Sequence, residues 1–267
     1  MNSALRHLRA IVRASALCGV TTFFYALWLS LRPFLLVSGK ASYGWRNFNF
    51  RKWAKAAAAL LRMRIAVNGA PPQAPFFMVS NHLSYMDIVT LASQLDCIFI
   101  AKSDVAGWPV LGSLCRSMGT IFVDRNSRKD VLRVNALIEA ALAAGEGVLL
   151  FPEGTSTAGF EILPFHSALL EPAARAGYPV SYATLRYQTP ASEPPARLSV
   201  CWWGEMTFPS HLYRLLQLTS FDAIVAFGSH SIRADDRKLL AKKLWDAVKE
   251  EFVPLDTREE QCRPVIY

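Results

Sequence analysis

From Phe76 onward the chain alternates short apolar runs with amphipathic stretches, and this limits the available folds more than any other feature. Apolar runs recur at 76–80, 97–101, 119–123, 147–151, 179–185, 198–203 and 222–227. Each is short for a helix and apolar enough for a strand covered on both faces. Helical patterns fill 84–94, 108–118, 128–144, 166–176 and 235–251. Strands alternating with helices predict an α/β sheet with helices on both faces. The length of 267 residues suits one large domain or a domain with an appendage.

The first 64 residues read differently. Ala14 to Leu31 carry no charge, and Phe34-Leu35-Leu36-Val37 is apolar again after Arg32-Pro33. The uncharged run is at the short end for a membrane span. A basic start before an apolar run is also the pattern of a signal peptide. No good small-x-small site follows, which argues against removal. Residues 48–64 predict a second helix, with Phe50, Trp53, Ala57, Leu60 and Leu61 at helical spacing and Arg51, Lys52, Lys55 and Arg62 between them. Residues 1–64 are therefore read as a membrane anchor or interfacial helices, and 65–267 as the main domain. Whether 14–37 span the bilayer or lie on it stays open.

The formal charge is +8. Such a balance suits nucleic acid, anionic lipid or phosphorylated substrates. No zinc-finger spacing or basic-region zipper is present, and much of the charge lies among apolar and aromatic residues near the N-terminus. A membrane surface is favoured over nucleic acid. If 14–37 cross the bilayer, the flank after them is more basic than Arg6, Arg9 and Arg13 before them. The positive-inside rule then puts the main domain on the cytoplasmic side of the inner membrane. The five cysteines (Cys18, Cys97, Cys115, Cys201 and Cys262) are scattered and read as free thiols in a reducing compartment.

Four strand ends carry chemistry. The run 76–80 is followed by Asn81-His82-Leu83-Ser84-Tyr85-Met86-Asp87. Histidine suits proton transfer near neutral pH, and a carboxylate on its second nitrogen fixes the tautomer and steadies the imidazolium. His82 is the candidate base and Asp87 its orienting partner. The run 147–151 leads into Pro152-Glu153-Gly154-Thr155-Ser156, where open α/β sheets bind ligands. Glu153 is expected to accept from a substrate hydroxyl, and Gly154 to turn backbone N–H groups toward an anion. Arg125 follows 119–123 and suits a bidentate grip on phosphate, with Lys102 after 97–101 adding a second charge. A satisfied core histidine, a solvated turn glutamate and an Arg125 salt bridge to Asp124 or Asp130 compete with these readings. There is no G-x-S-x-G, no metal-ligand cluster, no Walker loop and no dinucleotide fingerprint.

The ordered set Asn81-His82-x-x-x-x-Asp87, Gly119…Phe122-Val123-Asp124-Arg125, Phe151-Pro152-Glu153-Gly154-Thr155 and Tyr178-Pro179-Val180 resembles the glycerolipid acyltransferases. Among these it is most similar in size to the bacterial 1-acylglycerol-3-phosphate acyltransferases. Ala101-Lys102-Ser103-Asp104-Val105, with Pro109 and Gly112, resembles the family's lysine-bearing segment. The resemblance covers roughly 65–230. It implies a mixed, largely parallel sheet of glycerol-3-phosphate acyltransferase type, with N-terminal helices on or in the membrane. It also implies acyl transfer from acyl-CoA or acyl-carrier protein to a lysolipid hydroxyl, with no metal, cofactor or covalent intermediate. His82 would take the hydroxyl proton, Asp87 would orient it, and Arg125 with Lys102 would hold the acceptor phosphate. Glu153, Gly154 and Thr155 would help bind the glycerol phosphate.

Two positions depart from the pattern. Ser156 stands where the family often has Arg, and Phe165-His166-Ser167 where it commonly has Phe-Lys-Gly. The first expectation for the acceptor is 1-acyl-sn-glycerol-3-phosphate. A lysolipid needing less positive charge, such as lyso-ornithine lipid, is the alternative. A lipid esterase and a non-catalytic lipid-binding module are the competing classes.

Overall fold

A computed structural model describes residues 3–35 and 39–255; Leu36, Val37 and Cys262 lie outside the described residues. Two long helices, α1 (Ser3–Leu35) and α2 (Gly39–Leu60), precede β1 (Met63–Asn68) and β2 (Phe76–Ser80). Next come α3 (Met86–Ala92), β3 (Cys97–Lys102), α4 (Ser103–Ala106), α5 (Leu111–Ser117), β4 (Ile121–Val123), α6 (Arg128–Ala143) and β5 (Gly147–Leu150). The chain continues through α7 (Glu171–Ala176), β6 (Val180–Gln188), α8 (Ala196–Ser199), α9 (Phe208–Gln217), β7 (Phe221–Phe227) and α10 (Arg237–Glu251). The strands form one sheet in the order β1-β7-β6-β2-β5-β3-β4. Among the described strands β6 and β7 pair antiparallel and the other pairs are parallel, so the sheet is mixed and largely parallel.

The central strand β2 explains why the apolar runs are continuous. All five of its residues are buried. Phe76 and Met78 face one core, which contains Ala54 and Ala57 of α2 and Val89 of α3. Phe77 and Val79 face the other, with Ile138 of α6 and Leu244 of α10. Both faces are covered, so apolar residues fill the strand up to Ser80 at its end. In β7, Phe221, Ala223, Val225 and Phe227 are buried and the residues between them only half-buried.

Three elements differ from the sequence reading. β1 was not expected, because its alternating Arg64 resembles the basic flank before it. It pairs in parallel with β7 along its whole length, and Arg64 bonds Asp222 across the pair. The boundary at 64/65 therefore cuts through a strand. The run 198–203 is not a strand; it forms the end of α8 and a buried irregular segment. Trp202 and Trp203 give their indole N–H groups to the Met206 and Arg197 carbonyls there. Helix α9 was missed, although Pro209 in its first turn is a recognisable start signal.

The N-terminal helices pack on the sheet domain. Asn49 Nδ2 donates to the Phe24 carbonyl (2.7 Å) and Trp53 Nε1 to Thr21 Oγ1 (3.0 Å). Rising numbers on α2 meet falling numbers on α1, so the pair is antiparallel. Arg51 pairs with Asp96 at 2.6 Å, and Arg46 pairs with Glu146. Ala10, Phe50, Ala54, Ala57 and Leu61 belong to the same core as Phe76 and Met78.

The arginines before the apolar run have a structural use. Arg9 donates to the Gln217 carbonyl (2.7 Å), and the buried Arg13 donates to the carbonyls of Leu216, Leu218 and Thr219. These are the last carbonyls of α9 and the turn beyond it, which lack helical partners and carry the negative end of the dipole. The N-terminal end of α1 is thus fixed to the same domain that α2 enters. Ser3–Leu31 is long and apolar enough to cross a membrane by length and composition. Leu5, Leu8, Val12, Phe23 and Leu31 are exposed on it. Arg13→Ala should lower stability by about 2–3 kcal/mol, because several buried carbonyls lose a charged donor. Thermal unfolding in mild detergent checks this, and the midpoint should fall by several degrees.

Candidate active site

The parallel strands all present their C-terminal ends to one edge of the sheet. His82 follows β2, Lys102 ends β3, Arg125 follows β4 and Glu153 follows β5. This is where open α/β sheets bind ligands.

The turn after β2 is set by side chains that replace backbone pairing. Asn81 is buried, and its Oδ1 accepts from Leu185 N (2.7 Å) while its Nδ2 donates to Leu185 O (3.0 Å). The carboxamide continues the β2–β6 ladder by one step while the backbone turns away. Asp87 lies in the first turn of α3, where the helix dipole favours an acid. It is 0% exposed. Its Oδ2 accepts from His82 Nδ1 (2.7 Å), Leu83 N (2.7 Å) and Ser84 N (3.1 Å). Its Oδ1 accepts from the Tyr187 hydroxyl at 2.7 Å.

With Nδ1 donating to Asp87, the neutral imidazole of His82 carries its lone pair on Nε2. Nε2 has no hydrogen-bond partner among the described residues. The ring lies on Phe151, with centroids 4.3 Å apart and planes 16° from parallel. Its side chain is 22% exposed. The ring is clamped by a carboxylate at one end and an aromatic face beneath, with the other nitrogen available. That is the geometry of a general base.

Glu153 differs from its expected use. It is 3% exposed. Its Oε1 accepts from His82 N (2.7 Å) and its Oε2 from Leu163 N (2.8 Å). Each oxygen already holds a backbone donor, so the carboxyl ties the loop after β5 to the histidine's own backbone. Burial pushes it up to about 7, against the Leu163 and His82 N–H groups and the His82 ring, which pull it down. Thr157 N donates to the His82 carbonyl (3.0 Å), a second tie between these loops.

The cationic residues are unequal. Arg125 is exposed, donates to the Gly154 carbonyl, and stands in no ion pair among the described residues. Asp130 pairs instead with Arg133. Gly154 has a φ of +81°, and a Cβ there would collide with the Arg125 guanidinium and come within 3.1 Å of His166 Cδ2. Glycine is needed for the turn and for this close approach. Lys102 is exposed and paired with Asp104. Thr155 is exposed. Ser156 Oγ donates to the Trp202 carbonyl, so it joins the site to the segment before α9.

These features agree with the matches to known proteins. A sequence model of the family described as Acyltransferase matches residues 64–184. The lyso-ornithine lipid O-acyltransferase of Brucella abortus is 34% identical over 243 residues, covering 86% of this chain and 91% of that protein. The chain belongs to the glycerolipid acyltransferase family. The 1-acyl-sn-glycerol-3-phosphate acyltransferase of Neisseria gonorrhoeae is 29% identical over 241 residues, covering 89% of this chain and 92% of that one. The crystal structure of the 1-acyl-sn-glycerophosphate acyltransferase from Thermotoga maritima superposes with a TM-score of 0.68 over 97% of this chain and 98% of that one. At 19% identity that likeness speaks for the fold.

Residues outside the acyltransferase motifs complete the site. Tyr187 is fully buried, and burial together with Asp87 holds its phenol well above the usual range, so it stays a donor. It also touches Thr90 Oγ1 at 3.2 Å. No sequence signal marks it, because its partner is a hundred positions away and the β2–β6 register brings them together. Phe151 was assigned to a strand, and its role beneath His82 appears only in three dimensions. Tyr85, within the turn, bonds His211 Nδ1 at 2.9 Å.

Two outcomes test this geometry. Tyr187→Phe should lower kcat about tenfold with KM unchanged, because Asp87 loses one of its donors while substrate contacts remain; steady-state kinetics in mixed micelles report it. The Glu153 carboxyl is raised in the folded state from its ordinary 4.5 to about 7. Its contribution to stability is therefore fully present below pH 4.5 and is lost as pH rises toward 7. Stability should fall across that window by on the order of 3 kcal/mol. Glu153→Gln, which cannot titrate, should flatten the decline in denaturant midpoint measured against pH.

Proposed function

We propose that this protein transfers a fatty acyl group from an acyl thioester, acyl-CoA or acyl-carrier protein, to the free hydroxyl of a lysolipid at the membrane. The observation that carries the reading is the His82–Asp87 pair, held rigidly at the sheet's ligand-binding edge with Nε2 available. Nε2 takes the hydroxyl proton as the oxygen attacks the thioester carbonyl. Asp87 offsets the charge that forms on the imidazole. The tetrahedral intermediate collapses with cleavage of the C–S bond, and the proton on Nε2 passes to the departing sulfur. Much of the rate comes from holding two substrates in one cleft, and a base at this position contributes about 10²–10⁴-fold.

The acceptor that Arg125 suits is 1-acyl-sn-glycerol-3-phosphate, because an uncompensated guanidinium can grip a phosphate with two N–H groups. Lys102 would assist by leaving Asp104, and Gly154 and Thr155 would line the glycerol side. Glu153 acts here as a positioning residue through the His82 backbone. A second acceptor, lyso-ornithine lipid, is favoured by Ser156 in place of a cation and by the engagement of Lys102 with Asp104.

The α1–α2 pair is read as the membrane contact. α1 presents its apolar side outward while its N-terminal end is tied to α9, so the pair rests in or on one leaflet. Lys52 and Lys55, exposed on α2, then face anionic headgroups on the cytoplasmic side of the inner membrane.

His82→Ala should reduce acyl transfer at least a hundredfold without changing sedimentation with vesicles. The measurement uses labelled acyl-CoA and acyl-carrier protein with each lysolipid. Release of free fatty acid, in place of a two-chain lipid, would overturn the transferase reading. Unchanged activity in His82→Ala would remove the histidine from it.

A further inference from the structure

The turn between α4 and α5 holds an apolar side chain in a place that water disfavours. Val110 is 72% exposed, the most exposed large apolar residue among those described. Its backbone sits at φ +64° and ψ −57°, and Leu111 N donates to the Pro109 carbonyl at 2.7 Å. This is a γ-turn of the strained kind, and a β-branched residue adopts it least readily. Glycine would relieve the strain. In water the valine gains no packing that offsets its conformation. Backbone outliers of this sort cluster where a segment meets a ligand.

The composition and hydrogen bonding of the turn suit lipid. No charged residue lies between Asp104 and Arg116, and Gly107, Pro109 and Ser113 are exposed beside Val110. The backbone closes on itself. Gly107 N donates to the Asp104 carbonyl (3.1 Å), Trp108 N to Val105 (3.1 Å), Gly112 N to Trp108 (3.0 Å) and Leu114 N to Val110 (3.0 Å). Pro109 has no N–H to satisfy. At the base of the turn Arg116 donates to the Ala106 carbonyl (2.8 Å). A segment that enters a bilayer must pair its backbone internally in this way.

The turn is joined to both the site and α1. Trp108 lies against Phe208 at the start of α9 and against Trp202, with ring centroids 5.5 and 6.2 Å away. Tyr85, between His82 and Asp87, meets the same two rings at 5.0 and 5.9 Å. Five residues along α9 from Phe208, Tyr213 bonds and stacks on His7 of α1. Helix α9 therefore links this turn to the N-terminal part of α1, where Leu5, Leu8 and Val12 are exposed. An exposed apolar tip continued by an apolar helix side marks an interaction surface.

We propose that the α4–α5 turn is a second membrane contact, in which Val110 enters the apolar zone of the bilayer and Trp108 lies at its interface. The bilayer supplies the apolar burial that the valine lacks in water, and an indole suits the headgroup level. The proposal rests on the membrane reading of α1 and goes beyond it. α1 and α2 alone fix the domain to the bilayer, whereas this turn, which follows β3, brings the sheet edge bearing His82 against the lipid that holds a single-chain acceptor.

The test uses the full chain on vesicles of phosphatidylethanolamine and phosphatidylglycerol. The emission that Val110→Trp adds to that of wild type should shift to the blue on vesicles and be lost when the lipid chains are brominated. Val110→Asp and Val110→Gly should raise the apparent KM for 1-acyl-sn-glycerol-3-phosphate presented in vesicles about tenfold, as expected for a valine no longer buried. Val110→Leu should keep the wild-type value. Glycine takes this φ freely, so a loss in Val110→Gly is not a loss of fold. A short-chain acceptor dissolved as monomers should be used alike by all. Added tryptophan emission that brominated lipid leaves unquenched overturns the proposal. An equal rise in KM for the monomeric acceptor overturns it too, because the valine then acts within the site. So does self-association that Val110→Asp abolishes while the added tryptophan stays unquenched, which puts a second copy of the chain on the turn. If wild type acylates no acceptor, the transferase reading fails and the quenching still decides the contact. If wild type does not bind vesicles, the α1 reading and this one both fail.

Discussion

Asp87 is a buried carboxylate, and burying a carboxylate is tolerable only where donors replace its water. Four do so: the His82 ring, two backbone N–H groups of its own turn, and the Tyr187 hydroxyl from β6. Much of the site follows from this requirement. The two backbone donors impose the tight turn that brings His82 back over the helix start. The tyrosine requires β6 to lie beside β2 in one register. The imidazole, as the remaining donor, is left in the tautomer that a base needs. Packing and the proton transfer proposed for His82 are therefore joined at one side chain.

The loops around this centre repeat the arrangement at a lower level. Asn81 substitutes for a strand step, Glu153 ties the loop after β5 to the His82 backbone, and Ser156 ties the same loop to Trp202. The histidine is held through its ring by Asp87 of α3 and Phe151, and through its amide and carbonyl by Glu153 and Thr157 of the loop after β5. A histidine held so firmly would lose little orientation entropy in the proposed role of base. The cationic groups are held more loosely. Arg125 has a single carbonyl partner and Lys102 a surface ion pair, so they remain able to meet a charged ligand.

The N-terminal helices are bound into the fold, so the membrane contact proposed for them is joined to folding. Arg13 caps α9, Arg46 and Arg51 pin α2 across the domain, and α2 contributes alanines to the core under β2. A helix pair fixed at so many points is part of the domain and cannot swing as a tether. The sheet domain is accordingly held against α1 and α2.

Much was legible in the sequence because it rests on local rules. Continuous apolar runs between helical patterns require a sheet covered on both faces, and the strand-turn-helix around His82 follows from short-range preferences. The ordered motifs also pointed to His82 and Asp87, which the structure brings together, and to Arg125 at the same sheet edge. Other features have no local signal. β1 is an edge strand whose arginine looks like a membrane flank until Asp222 pairs with it. Arg9 and Arg13 look like topology signals until α9 arrives to be capped. Glu153 looks like a substrate acceptor until two backbone amides occupy it. Tyr187 depends on the pairing of β2 with β6, far apart in the chain. The sequence by itself determined which residues can do the chemistry, because functional groups and local turns are written residue by residue. Only the tertiary structure decided which of them are free to do it, because hydrogen-bond partners come from strands and helices far apart in the chain.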